Sequence, residues 1–213
     1  AMDSELKSLI SAIENADYDA HPFEHLYATN IFSERFYESL LQALPEDSVY
    51  ESFSPKRWPD RLQAPLEDLP NPIWKRVASI FKSKELKEAL FDRFSKTIKN
   101  VPCSPALYLF RDKEQLEIDP HPDIARKVIT SQMYLPPDNS HEQFGTKILE
   151  GDTLESLKVY KQFKFHRNSY YAFPVGETSW HSYAGFKDTD YKESFNRDTL
   201  MCFYYDDKFR EIA

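Results

Sequence analysis

Arg126-Lys127-Val128-Ile129-Thr130-Ser131-Gln132-Met133-Tyr134-Leu135 is the longest clear strand in the chain, and its two faces differ. In extended backbone successive side chains point to opposite sides, so Ile129, Met133 and Leu135 share one face while Thr130, Gln132 and Tyr134 share the other. The apolar face suits packing against helices. The polar face suits the lining of a barrel or sandwich interior. Pro136-Pro137-Asp138-Asn139-Ser140 then turns the chain.

Outward from this strand the same period of two recurs from about residue 104. Ala106 to Arg111 is a short apolar-aromatic strand, and Gln115 to Asp119 alternates Leu116 and Ile118 with polar residues. Pro120 and Pro122 bracket His121, and because proline cannot continue a central ladder they mark a strand end at a sheet rim. Downstream, strands are predicted over about Gly145 to Leu149, Val159 to Phe165 with Val159, Lys161, Phe163 and Phe165 on one side, Tyr170 to Phe173, the segment carrying His181, and Arg197 to Tyr205. Seven or eight short strands separated by turns predict a sandwich, jelly roll or barrel.

Upstream the period is that of a helix. Leu6, Leu9, Ile10 and Ile13 form one apolar face with Asp3 or Ser4 as cap; Ser33 caps a helix carrying Phe36, Leu40, Leu41 and Leu44. Asn71 with Pro72 starts a third, and Ser83 a fourth carrying Leu86, Ala89, Leu90 and Phe94. Residues 46–70, rich in Pro, Asp, Glu and Ser, are expected to be an irregular covering segment. His21 and His25 have helix-face spacing, but Pro22 between them favours a surface or packing role. The expected class is therefore α+β, mainly β, as a single domain over 1–213, with 1–100 as mainly helical support and 104–206 as the β core.

Composition excludes several functions. With four glycines there is no Gly-rich phosphate loop, and a net charge of -8 disfavours nucleic acid and anionic membranes as partners. No apolar run approaches a membrane span and no signal-like segment lies near the start, so a cytoplasmic protein is expected. Cys103 and Cys202 read as buried free thiols rather than a disulfide.

Three groups of residues carry chemistry. His121-Pro122-Asp123 offers an imidazole and a carboxylate two positions apart, and Thr178-Ser179-Trp180-His181-Ser182 offers a second imidazole from a distant strand. Two histidines and one carboxylate occupy one face of an octahedral metal and leave the rest open. Arg197-Asp198-Thr199 places a guanidinium and a hydroxyl on one strand face, suited to a carboxylate. The polar face of Thr130, Gln132 and Tyr134 can complete a pocket for a small dianion.

With His-x-Asp, Tyr134-Leu135-Pro136, Phe173-Pro174, Ser179-Trp180-His181 and Arg197-x-Thr199, the chain resembles the iron(II)- and 2-oxoglutarate-dependent oxygenases, in their prolyl-hydroxylase-like and phytanoyl-CoA-hydroxylase-like branches. The resemblance covers roughly residues 104–206. It implies a double-stranded β-helix (jelly roll, cupin-like) with supporting helices, and a dioxygenase that releases succinate and carbon dioxide. Carried over, His121, Asp123 and His181 hold the iron, Arg197 pairs with the distal carboxylate of 2-oxoglutarate, and Thr199 and Tyr134 hydrogen-bond it. Asp123 stands where related halogenases have a residue too small to ligate, so hydroxylation is implied. Ascorbate is the implied reductant. The substrate is a small molecule or a protein side chain, a homodimer is left open, and Arg111, Asn168, Trp180 and the 183–196 loop are the candidates for substrate contact. The competing reading is a cupin-like binding module without oxygenase activity.

Overall fold

Each of the four helices among the described residues starts where a capping side chain accepts an otherwise unpaired amide. The structure is a computed structural model that describes residues 1–187, 189 and 191–209. Asp3 caps α1 (Ser4–Glu14), Ser33 caps α2 (Glu34–Gln42), Asn71 caps α3 (Pro72–Phe81) with Pro72 at its first position, and Ser83 caps α4 (Lys84–Arg93). Leu9, Leu40, Val77 and Leu90 are among the side chains these helices bury completely.

The strands are β1 (Asp17–Asp19), β2 (His25–Ala28), β3 (Glu51–Ser54), β4 (Trp58–Pro65), β5 (Cys103–Asp112), β6 (Ile118–His121), β7 (Lys127–Tyr134), β8 (Lys147–Glu150), β9 (Lys158–Gln162), β10 (Ser169–Pro174), β11 (His181–Tyr183) and β12 (Arg197–Asp206). They form two sheets in which every pairing is antiparallel. The larger has eight strands in the order β1-β2-β10-β7-β12-β5-β4-β3, and the smaller has four in the order β6-β11-β8-β9.

The split faces of β7 are as the sequence suggests. Ile129, Met133 and Leu135 join Leu200, Cys202 and Tyr204 of β12 in the core beneath the helices. Full burial of each aliphatic side chain there contributes roughly 1.5–3 kcal/mol. On the other face Tyr134, Tyr171 and Phe173 meet Ile118, Ile148 and Tyr183 of the smaller sheet, so a second core lies between the sheets. Cys103 and Cys202 are both buried and free.

Several expectations need correction. Residues 46–70 are not irregular: β3 and β4 form a hairpin whose second strand ladders onto β5 from Arg61 to Pro65. Residues 1–100 are not only helical support, because β1 to β4 extend the larger sheet at both edges. His25 has the packing role expected of it, though from β2 and not from a helix: it is buried against Phe163. The strand expected over Gln115 to Asp119 starts at Ile118 and runs into His121. β9 ends at Gln162, so Val159 is 56% exposed whereas Phe163 and Phe165, beyond the strand, are buried.

Candidate metal centre

β6 and β11 pair antiparallel with His121 directly opposite His181, which brings the two imidazole centroids to 4.2 Å. After His121 the backbone leaves the strand through Pro122 and turns at Asp123, whose φ of 73° is left-handed. Aspartate tolerates that region better than most residues. Asp123 Oδ1 then lies 3.1 Å from His121 Nε2 and 3.7 Å from His181 Nε2. The Thr130 hydroxyl donates to Asp123 Oδ2 at 2.6 Å, fixing the carboxylate from β7.

The histidine tautomers follow from their partners. His121 Nδ1 is 2.8 Å from the Asp119 carbonyl and His181 Nδ1 is 2.8 Å from the Ser179 carbonyl. A carbonyl only accepts, so each Nδ1 carries a hydrogen and Nε2 is the ring nitrogen that each histidine turns towards Asp123. Ser179 also clamps the two segments together, with its Oγ 2.5 Å from the Pro122 carbonyl. Burial pushes His181 down to about 4, which keeps its ring neutral at pH 7. Burial works against the Asp123 carboxylate, but Lys127 and the His181 and His121 rings, which attract it once protonated at low pH, outweigh burial and hold its carboxyl well below the usual range.

These three residues form a cluster whose ligand atoms all lie within 4.8 Å of one another. The donor set fits a divalent first-row metal: two imidazole nitrogens and one carboxylate oxygen, converging from one side, with outer hydrogen bonds on every ligand. His121, Asp123 and His181 were all singled out from sequence, and the fold brings them together.

The three face a cavity of ≈ 450 Å³ between the sheets. Its floor is the inner face of the larger sheet, arranged in cross-strand rows. Thr130 and Phe203 pair beside the metal cluster, Gln132 and Met201 form the next row, and Arg197 opposite Asp112 the far one. Arg197 is 1% exposed and lines the cavity. Its Nε donates to the Phe144 carbonyl at 2.7 Å and its Nη1 to Asp112 Oδ2 at 2.8 Å. Asp112 is shared, since Arg61 holds it with Nε at 2.7 Å and Nη2 at 3.0 Å. Burial of Asp112 is outweighed by the two guanidiniums, so it stays ionised, and two cations against one anion leave this end positive.

Tyr134 and Thr199 pair with each other across β7 and β12 and are fully buried, but neither is on the cavity wall. The Tyr134 hydroxyl accepts the Thr146 amide at 2.8 Å; the Thr199 hydroxyl has no hydrogen-bond partner among the described residues. Gln132, Thr146 and Tyr171 provide the polar wall near Arg197, with the Tyr171 hydroxyl donating to Gln132 Oε1 at 2.8 Å. Arg111, Asn168 and Trp180 do not line the cavity. Arg111 is paired with Asp198 at 2.7 Å, and Asn168 bonds the Phe32 backbone at the start of α2. Of 183–196, Tyr183 is on the wall, whereas Phe186, Tyr191 and Phe195 pack around Phe144; residues 188 and 190 lie outside the described residues. Sequence reasoning missed Arg61 on the wall and Asp112 behind it, and gave Tyr108, within the strand over Ala106 to Arg111, no place in the site. Phe53 and Trp58 read as apolar exceptions within 46–70, the segment expected to be irregular.

No family model and no curated protein matches the chain at the level of sequence. Solved structures do. A prolyl 4-hydroxylase from Phytophthora capsici aligns over 98% of this chain and 68% of its own, at 13% identity and a TM-score of 0.60. A prolyl hydroxylase from Trichoplax adhaerens, in complex with a hypoxia inducible factor peptide, aligns over 98% and 92% at 14% identity and a TM-score of 0.58. A 2OG-Fe(II) oxygenase family protein from Burkholderia pseudomallei aligns over 96% and 91% at 10% identity and a TM-score of 0.54. The chain thus has the fold of the iron(II)- and 2-oxoglutarate-dependent oxygenases.

Proposed function

We propose that the chain is an iron(II)- and 2-oxoglutarate-dependent dioxygenase on a double-stranded β-helix, hydroxylating a C–H bond of its substrate. The observation that carries this reading is the occupation of one cavity by the His121, Asp123 and His181 cluster and by the buried guanidinium of Arg197. The two imidazole Nε2 atoms and a carboxylate oxygen would hold the iron. Iron bound with 2-oxoglutarate and dioxygen supplies an oxidation strong enough for unactivated C–H bonds, with succinate and carbon dioxide as co-products.

The other roles belong to the protein. Arg197 pairs with the distal carboxylate of 2-oxoglutarate, and its charge remains available because Arg61 already meets Asp112 through two hydrogen bonds. Tyr134 and Thr199 support that end from behind the wall, and Tyr134 does so by fixing the Thr146 backbone. Phe144, Phe165 and Tyr183 keep water away from the guanidinium, which lies 4.0 Å over the Tyr183 ring. In such a low-dielectric setting a carboxylate contact is worth more than it is in water.

The test is anaerobic addition of iron(II) and 2-oxoglutarate, with ascorbate as reductant, followed by visible spectroscopy. A weak charge-transfer band is expected in the wild type and absent in His181→Ala. Arg197→Ala should weaken 2-oxoglutarate binding while iron binding persists. No band in the wild type, with unchanged metal binding in His181→Ala, would overturn the reading.

A further inference from the structure

The cavity also has an aromatic wall, whose chemistry the proposed iron and 2-oxoglutarate sites do not use. It is built from Phe53 and Trp58 of the β3–β4 hairpin, Tyr108 and Phe110 of β5, and Phe203 and Tyr205 of β12. The rings are ordered against one another: Phe53 and Trp58 stack at 5.7 Å with an interplanar angle of 20°, and Phe53 meets Phe110 at 5.4 Å. Cations flank them: Arg61, which is committed to Asp112, lies 4.5 Å over Phe110, and Arg126 lies 5.7 Å over Tyr205. Arg57 lies 4.2 Å over the Trp58 ring, and Lys127 Nζ lies 3.7 Å over Phe203 while standing 3.7 Å from Asp123 Oδ1. Among the described residues no carboxylate forms an ion pair with Arg57.

The charge balance points the same way. The cavity wall carries Arg57, Arg61, Lys127 and Arg197, and the carboxylates that meet them are Asp112 and Asp123. Four cations against two anions leave two positive charges, in a chain whose net charge is -8. An iron(II) ion and a 2-oxoglutarate dianion would cancel each other and leave that excess unchanged. A pocket of one sign in a protein of the other attracts and retains ligands of the opposite charge. The cavity, at ≈ 450 Å³, lies at the lower end of the range of about 300–1,000 Å³ found for small-molecule sites.

We propose that the space along the aromatic wall is the substrate chamber and takes a small organic anion, a carboxylate carried on a flat apolar body. The flat body lies against Trp58, Phe53 and Phe110, and the charge meets Arg57, since Lys127 already faces Asp123. This rests on the oxygenase reading only for what happens to the substrate; the recognition depends on the chamber itself.

The test uses naphthalene-2-carboxylate and its neutral isostere naphthalene-2-carboxamide, titrated calorimetrically into the full chain with iron(II) and 2-oxoglutarate under argon, so that no turnover occurs. The acid should bind about tenfold tighter than the amide, the size of a charge-assisted contact. Arg57→Gln should shrink that preference to within about twofold, and Trp58→Ala should weaken acid and amide alike by about tenfold through lost stacking and burial. Both variants should hold 2-oxoglutarate as the wild type does. Equal affinity for acid and amide, displacement of 2-oxoglutarate by the acid, or binding of a blocked proline-containing peptide in place of either probe would overturn the chamber. A repeat without iron and 2-oxoglutarate separates the two claims. Discrimination by a protein that takes neither cofactor supports the chamber and removes the oxygenase reading; uptake of both cofactors without discrimination does the reverse.

Discussion

The two faces of the larger sheet are made by the same strands and do opposite things. On β7 and β12 the residues Ile129, Met133, Leu200, Cys202 and Tyr204 point towards the helices and are buried among apolar neighbours. Their alternates, Thr130, Gln132, Arg197, Met201 and Phe203, line the cavity. One face is packed to hold the chain together, and the other is left with polar groups aimed at empty space. A period of two therefore separates stability from chemistry within a single strand, so substitutions one position apart should have effects of different kinds.

The largest expected effect is on the cavity side. His181→Ala should cut iron(II) affinity by more than about 100-fold, since a ligand matters more than the outer partners whose loss costs 10–100-fold, and the unfolding midpoint should move little; metal titration beside thermal melting checks both. A comparable loss of stability without loss of metal would break the division. Met133→Ala, on the helix side, should do the reverse. It removes a fully buried side chain and should cost about 2–5 kcal/mol in urea unfolding while the folded protein keeps its iron affinity. Thr130→Val tests the boundary, because it keeps the shape of β7 and deletes the hydroxyl that holds Asp123; roughly tenfold weaker iron binding is expected.

The smallest effect lies outermost on the helix side. The Arg76 guanidinium beside Asp3 holds its carboxyl at about 2, below its ordinary 3.8. A depressed carboxyl stabilises the fold above its unfolded pKa and loses that contribution as pH falls from about 4 to about 2. Because the pair is partly exposed and screened, Asp3→Asn should cost only about 1 kcal/mol at pH 7. Unfolding at pH 7 and pH 2 should show the difference between variant and wild type disappearing at the lower pH, with iron binding at pH 7 unchanged.

How far the sequence could be read follows the same division. Strands buried on one face and polar on the other, such as β7 and β12, announce themselves by alternation, and the helices do so by caps and apolar stripes. His121, Asp123, His181 and Arg197 were legible only in combination and through the resemblance to the oxygenases, because His-x-Asp alone is a pattern that chance often supplies. The β3–β4 hairpin was not. Trp58-Pro59-Asp60-Arg61-Leu62-Gln63-Ala64-Pro65 carries two prolines and little alternation, and it is tolerated because the ladder to β3 shifts register near Pro59 and Pro65 closes the strand. β1 and β2 are too short, at three and four residues, for any period to register. Arg61 and Asp112 could not be paired from sequence, since 51 positions separate them and only the β4–β5 register sets them side by side.

The sheets contain unequal numbers of strands, eight against four, and this mismatch gives the molecule a replaceable part. The hairpin of β3 and β4 lies at one edge, tied to the remaining sheet by a single ladder to β5, while the candidate ligand side chains come from β6, β11 and the loop between β6 and β7. A lineage, or an engineer, could lengthen, shorten or rewrite the part of that hairpin before Arg61, which holds Asp112, and so reshape the aromatic wall of the cavity without touching His121, Asp123, His181 or Arg197.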